Sequence, residues 1–377
     1  MANKEKGVVS STSVTSVKRK FNNSEEECVT HTNETRRGSP SIMNLNIPST
    51  SKDWSEELLP HLHIEVETEV FTPYVVFSSY PDFLENQKNK RSEIIAMMND
   101  PASERKVPFD CFNHIMEQIL NLDYEHIDHV PVCRVEKLYE NSKIWRDWEK
   151  ELSGFKTIKG LKEKCLRLQQ NVTDFLWQLL YMVNRRQHPE REELSEGMFQ
   201  ELFMRFARMF ELGLVGAPNV GCYNCVVGGK EISSVPDALV IDPCKKNTVL
   251  AVVKVTKTYN KEIDLRGEMW KFIKVQNPIE HVDNNLKCQH IGDILSVLQC
   301  SLFGPNGMYG FVVQATEVTV VAFATDKNYT TYIKTGHIAE QDCATVKYSE
   351  KCNILSKKGR LKLARTFLDM AALMKYL

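Results

Sequence analysis

One short run constrains the fold more than anything else in the chain. Val249-Leu250-Ala251-Val252-Val253 is continuously apolar, and Lys254 and Val255 extend it before polarity returns at Thr256-Lys257. A half-buried strand alternates; an uninterrupted apolar run of this length reads as a central strand covered on both faces. That demands helices on either side of a sheet and predicts an α/β fold. The lysine sharpens the constraint, because an ammonium in such a strand is costly to bury without a partner. Asp237, on the preceding strand-like run, supplies one. Alternation places Asp237 on the face of Leu239 and Ile241, and Lys254 on the face of Val252 and Thr256. Taken alone, the two residues read as a buried ion pair.

The elements around this run follow in a readable order. Ser195 opens an amphipathic helix that buries Met198, Phe199, Leu202, Phe203, Phe206 and Phe210 and closes near Gly213. Three strand-like runs come next, Val220 to Val227, Ser234 to Ile241 and Thr248 to Lys257. Gly228-Gly229 and Pro243 to Asn247 are the turns between them. A helix from about Asn284 to Leu302 is expected to follow, then strands at Gly310 to Gln314 and Val318 to Ala324. A shorter strand near Thr330 to Lys334 and a basic amphipathic helix, Lys358 to Tyr376, complete the chain.

Upstream the pattern differs. Residues 1–52 are rich in Ser, Thr, Asn and charge, too poor in large apolar groups to offset ordering entropy, and read as a disordered tail. Its Lys18-Arg19-Lys20 and Arg36-Arg37 are either nuclear-import signals or plain solvated charge. Residues 53–188 read as a mainly helical region, with helices at Pro108 to Leu122, Val135 to Leu152 and Ile158 to Val183. Trp145 and Trp148 share one face there, as core anchors, anchors for a protein partner, or platforms for bases. Residues 189–377 form the α/β domain with its C-terminal helix.

The order of helix, three strands with Pro-Asp on the second and Lys on the third, helix and strand resembles the PD-(D/E)xK nuclease superfamily. The resemblance covers residues 190–335 or so. It implies a restriction-endonuclease-like αβββαβ core and a divalent-metal-dependent site, Mg²⁺ or Mn²⁺, for cleaving DNA or RNA phosphodiesters. It also implies catalytic roles for Asp237 and Lys254, a metal-binding glutamate on the first helix carried over to Glu196 (Glu201 is the alternative), and a glutamine after the Lys strand carried over to Gln289. The metal would sit at Asp237 and Glu196. The second acidic position falls on Val252, a departure at the place where the family holds its metal. The chain is therefore expected to be either an active nuclease whose missing acid is replaced from Glu196, Asp264 or Glu268, or an inactive nucleic-acid-binding or protein-interaction module on the same fold.

Other candidates carry less. Cys222-x-x-Cys225 has the spacing of half a zinc site but no second pair, and His126-x-x-His129 offers two imidazoles without further ligands. The basic residues Lys357, Lys358, Arg360, Lys362 and Arg365 of the last helix either track phosphates or form a solvated face. A formal net charge of -1 leaves no global case for nucleic acid or membrane. With 11 scattered cysteines, no apolar leader and no apolar run long enough for a bilayer, the expectation is a soluble protein of nucleus or cytoplasm, not secreted.

Overall fold

The expected central strand is the axis of a mixed sheet in the computed structural model, which describes residues 42–84, 92–93, 95–96, 121–143, 161–188, 193–242, 245, 248–257, 282–326, 328–336 and 342–376. Ten strands are seen among these residues: β1 Ile64–Phe71, β2 Leu214–Gly216, β3 Tyr223–Val227, β4 Lys230–Ser234, β5 Ala238–Ile241, β6 Val249–Thr256, β7 Gly307–Gln314, β8 Glu317–Thr325, β9 Ala344–Ser349 and β10 Cys352–Asn353. The main sheet runs β1-β9-β8-β7-β6-β5-β2, with β10 added beside β8. Its pairs β2/β5, β5/β6, β7/β8 and β8/β9 are antiparallel, while β6/β7 and β1/β9 are parallel.

The longer described helices are α1 Val132–Ser142, α2 Leu161–Gln187, α3 Glu196–Arg208, α4 Asn284–Val297, α5 Tyr329–Thr335 and α6 Lys357–Tyr376. They cover both faces of the sheet. On one face Ala238, Val240, Ala251, Val253 and Phe311 pack under α2, α3 and α6 through Phe175, Phe203, Phe206 and Phe367. On the other, Leu239, Val252, Val312 and Val321 pack under α4 through Ile291, Ile294 and Leu295. Side chains from β6 enter both clusters, which is why its sequence shows no alternation. Between the parallel neighbours β6 and β7 the chain passes through α4, as a parallel pair requires.

Several boundaries differ from the sequence-based expectation. The run from Ser234 to Ile241 is two strands, not one: β4 ends at Ser234, and β5 starts only after Val235-Pro236-Asp237. Pro236 has no N–H to give a ladder. Strands β3 and β4 form a separate two-stranded hairpin turning on Gly228 and Gly229, both at positive φ. The first core strand is instead β2. Thr330 to Lys334, expected as a short strand, is helical, the middle of α5, closed by Gly336 in the left-handed conformation; tertiary packing of Tyr329 and Tyr332 overrides the β propensity of its threonines.

The region 53–188 is not wholly helical. Strand β1 pairs with β9 in the main sheet, and α2 packs into the same core as α3, so Pro40–Leu377 form one compact unit. Ile42, Ile47 and Ser51, which were expected in the tail, are buried, and with Trp54 they form a strap against α4 and the hairpin. Residues 1–41, Trp145, Trp148 and residues 108–120 of the expected helix Pro108 to Leu122 lie outside the described residues. Among the described residues no helix is long and apolar enough to cross a membrane.

The layers meet closely where α4 crosses the sheet. A methyl group on Gly310 of β7 would lie inside van der Waals contact of the His290 ring on α4. We predict that Gly310→Ala costs about 1–3 kcal/mol by overpacking. In a double-mutant cycle by urea denaturation, the cost should shrink when His290→Ala removes the ring.

Candidate functional site

The pairing of β5 with β6 builds the site. Ala238 pairs with Val253, so Asp237 falls opposite Lys254. The Lys254 Nζ lies 3.5 Å from Asp237 Oδ2 and 3.9 Å from Asp293 Oδ2 on α4, so one ammonium serves two carboxylates. The side chains of Asp237, Lys254 and Asp293 are 31%, 10% and 2% exposed. The cluster therefore opens to solvent at Asp237 and is closed at Asp293.

Each carboxylate is fixed by its own partners. Asp237 Oδ2 accepts the Val255 backbone N–H at 2.7 Å. The Asp237 carbonyl accepts Gln200 Nε2 of α3 at 2.7 Å and the Ala217 N–H at 3.0 Å. Gly216 leaves room for that glutamine, since a Cβ there would meet Gln200 Nε2 at 2.5 Å. Asp293 Oδ1 accepts the hydroxyls of Ser51 and Ser234, each at 2.6 Å, while its buried Oδ2 has no hydrogen-bond partner among the described residues. Ser51 arrives on the N-terminal strap, residues 42–54, and Ser234 at the end of β4, so with Lys254 of β6 three separate segments converge on one buried carboxylate of α4. Gly292 is what lets the strap approach, because a Cβ there would press on Ser51 and Trp54.

Burial dominates the electrostatics. It raises the Asp237 carboxyl above the ordinary value of 3.8, against the opposing pull of Lys254 and the Val255 N–H. It raises Asp293 likewise, against Lys254 and the two serine hydroxyls. The stability tied to these two groups is thus fully present below pH 3.8 and is lost as pH rises through their higher folded values. At neutral pH both carboxylates are a burden that Lys254 offsets.

Position 252, where the family resemblance expects an acid, is sealed. Val252 is fully buried among apolar residues, and its carbonyl lies 3.1 Å from His290 Nε2. The histidine donates from Nε2, leaving a bare, buried Nδ1. Burial holds its pKa down to about 4, and Lys254 adds to the shift.

The other expected site residues lie apart from this cluster. Glu196, in the first turn of α3, is exposed. Gln289 is partly buried on α4, one turn before Asp293. No hydrogen bond or ion pair among the described residues joins either to Asp237 or Lys254. Glu201, the alternative glutamate, pairs with Arg205 at 2.7 Å. Asp264 and Glu268 lie outside the described residues. Sequence reasoning missed Asp293, Gln200, Ser51 and Ser234. The signal for Asp293 was present: it is a carboxylate enclosed by Ile291, Gly292, Ile294 and Leu295, and needs a cationic partner by the same argument that applies to Lys254.

A divalent ion does not fit the cluster as arranged. Mg²⁺ keeps several waters and takes one or two carboxylates, but Asp293 Oδ2 is shut away from solvent and Lys254 already stands beside both acids. Among the described residues no three His, Cys, Asp or Glu side chains gather as a metal site. His126 and His129 stand edge to face at 5.6 Å beside an Asp128–Arg186 ion pair, and Cys225 is buried next to Ser296 while Cys222 is exposed. The basic residues of α6 are largely occupied within the fold. Arg360 is buried and donates to the carbonyls of Ile354 and Leu122, Lys362 pairs with Glu350, and Arg365 covers the Tyr74 ring.

No family model, curated protein or solved structure matches the chain.

Two predictions follow from the charges. Lys254→Met should cost about 3–5 kcal/mol at neutral pH, the penalty for breaking a buried pair. The cost should fall in acid, where the raised carboxyls of Asp237 and Asp293 take up protons; a cost independent of pH would refute the ammonium's role. His290, lowered from 6.5 to about 4, contributes stability that is complete above pH 6.5 and is lost as pH falls through its folded value. The difference in unfolding free energy between wild type and His290→Gln should therefore change by about 3 kcal/mol across that window.

Proposed function

We propose that this chain is a degenerate nuclease-like protein of the PD-(D/E)xK kind, a nucleic-acid-binding module that keeps the Asp–Lys pair and has closed the place of the metal. The topology supports the family reading. In chain order α3, β2, β5, β6, α4 and β7 make an αβββαβ series, antiparallel through β6 and then parallel at β7. That is the plan expected of a restriction-endonuclease-like core. Asp237 lies immediately before the second of these strands, β5, and Lys254 lies on the third, β6, which supports that reading.

One observation carries the degenerate reading: Lys254 answers both nearby carboxylates, while Val252 is sealed in the apolar core. Asp237, the most exposed member, then serves to hold the lysine at the mouth of the site, and a phosphodiester would be met by the ammonium. A second reading, metal-dependent cleavage of DNA or RNA with Mg²⁺ or Mn²⁺, is favoured by Asp293, which returns to the cluster the negative charge missing at position 252.

The purified protein and Asp237→Ala are to be incubated with single- and double-stranded DNA and RNA, with Mg²⁺, Mn²⁺ or a chelator. The proposal expects binding without cleavage, unaffected by chelation. Metal-dependent cleavage that disappears in Asp237→Ala would replace it with the second reading. Absence of both binding and cleavage would remove nucleic acid from the account, leaving a protein-interaction module.

A further inference from the structure

We infer that Lys254 is the resident cation of a two-carboxylate site, its ammonium holding the place beside Asp237 and Asp293 that a hard divalent ion takes once the lysine is removed. The inference stands on charges and positions alone and does not need the family resemblance.

Asp293 is the independent evidence. Its side chain is 2% exposed, and its Oδ2, turned toward Lys254, has no hydrogen-bond donor among the described residues. A buried carboxylate oxygen in that condition is explained by a cation. The two serine hydroxyls hold the other oxygen, so Asp293 cannot turn its bare oxygen away without giving them up.

Asp237 is fixed in the same manner from the other side, by the Val255 N–H on its carboxylate and by Gln200 and Ala217 on its carbonyl. Both acids are thus held in place by groups other than the lysine. A site of this kind keeps its shape when the cation is exchanged.

The distances agree. At 3.5 and 3.9 Å the ammonium stands further off than the about 2.7–2.9 Å of a direct charge-assisted hydrogen bond. It is only loosely engaged with Asp237 and acts on Asp293 through space. Shortening Lys254 to alanine removes a positive charge and frees the volume that a hydrated ion needs. The oxygen donors that remain, two carboxylates with two hydroxyls behind one of them, are those preferred by Mg²⁺ or Mn²⁺.

The test is a titration with MnCl₂, followed by calorimetry and by thermal unfolding, of wild type, Lys254→Ala and Lys254→Ala/Asp293→Asn. Wild type should show no saturable binding. Lys254→Ala should bind Mn²⁺ saturably and gain a Mn²⁺-dependent rise in Tm, and the double variant should lose both. If Lys254→Ala folds only when Mn²⁺ is present, that also supports the inference. If it does not fold at all, Lys254→Gln is read in its place. Saturable Mn²⁺ binding by wild type that Asp293→Asn abolishes would overturn the inference, as would a folded Lys254→Ala or Lys254→Gln indifferent to Mn²⁺. Nucleic-acid binding by wild type in chelator, measured on the same preparation, tests the proposed function separately.

Discussion

An ammonium on a doubly covered strand is the interaction on which the organisation of this protein turns. Lys254 sits near the end of β6, between the two hydrophobic faces, where neither water nor an apolar wall can satisfy it. The register of β5 against β6 brings Asp237 opposite, and the packing of α4 over the sheet brings Asp293. Asp293 in turn needs donors, and these come from the end of β4 and from a strap 242 residues away. One buried charge thus links the sheet, the crossover helix, the hairpin and the N-terminal strap. Each link exists because the preceding one would otherwise leave a polar atom unpaired.

The same region is sealed by histidine. His290 uses the Val252 carbonyl as acceptor and needs Gly310 beneath its ring. Its burial keeps the imidazole neutral, so it adds no second positive charge beside Lys254. The raised carboxyls and the lowered histidine lie within one small volume and respond to acid in opposite directions. Such opposed shifts accompany functional sites and structural ion-pair networks alike. Here the exposure gradient, open at Asp237 and closed at Asp293, gives the cluster a mouth and a floor.

The strong elements were legible because their signal is local. An unbroken apolar run could only be a central strand, and the amphipathic stripe after Ser195 could only be a helix packed on one face. Pro236-Asp237 and Lys254 were legible as partners because burying the lysine alone is too costly. What escaped depends on distant contacts. Strand β2 has three residues and no pattern to read. Strand β1 alternates, Ile64-Glu65-Val66-Glu67, but its partner β9 lies far along the chain. The strap from Ile42 has a tail's composition, and only a few residues, Ile42, Ile47, Ser51 and Trp54, make it part of the core. Asp293 stands one helical turn beyond Gln289, the residue the family pattern selected. The pattern carries no information on which residue of this helix the crossover turns toward Lys254, and that residue is Asp293.

Val252 and Asp293 make most sense together. A carboxylate at 252 would be a third negative group around one lysine, in a position with no solvent and with a histidine already on its backbone. An apolar residue there lets α4 pack down, and that packing lodges Asp293 behind the lysine. The cluster holds two acids, and the second cannot be reached from the mouth. A hydrated ion approaching Asp237 meets the ammonium before it meets Asp293. Lys254 therefore stands between Asp293 and any outside cation, and the chemistry open to the site depends on whether that side chain stays where it is.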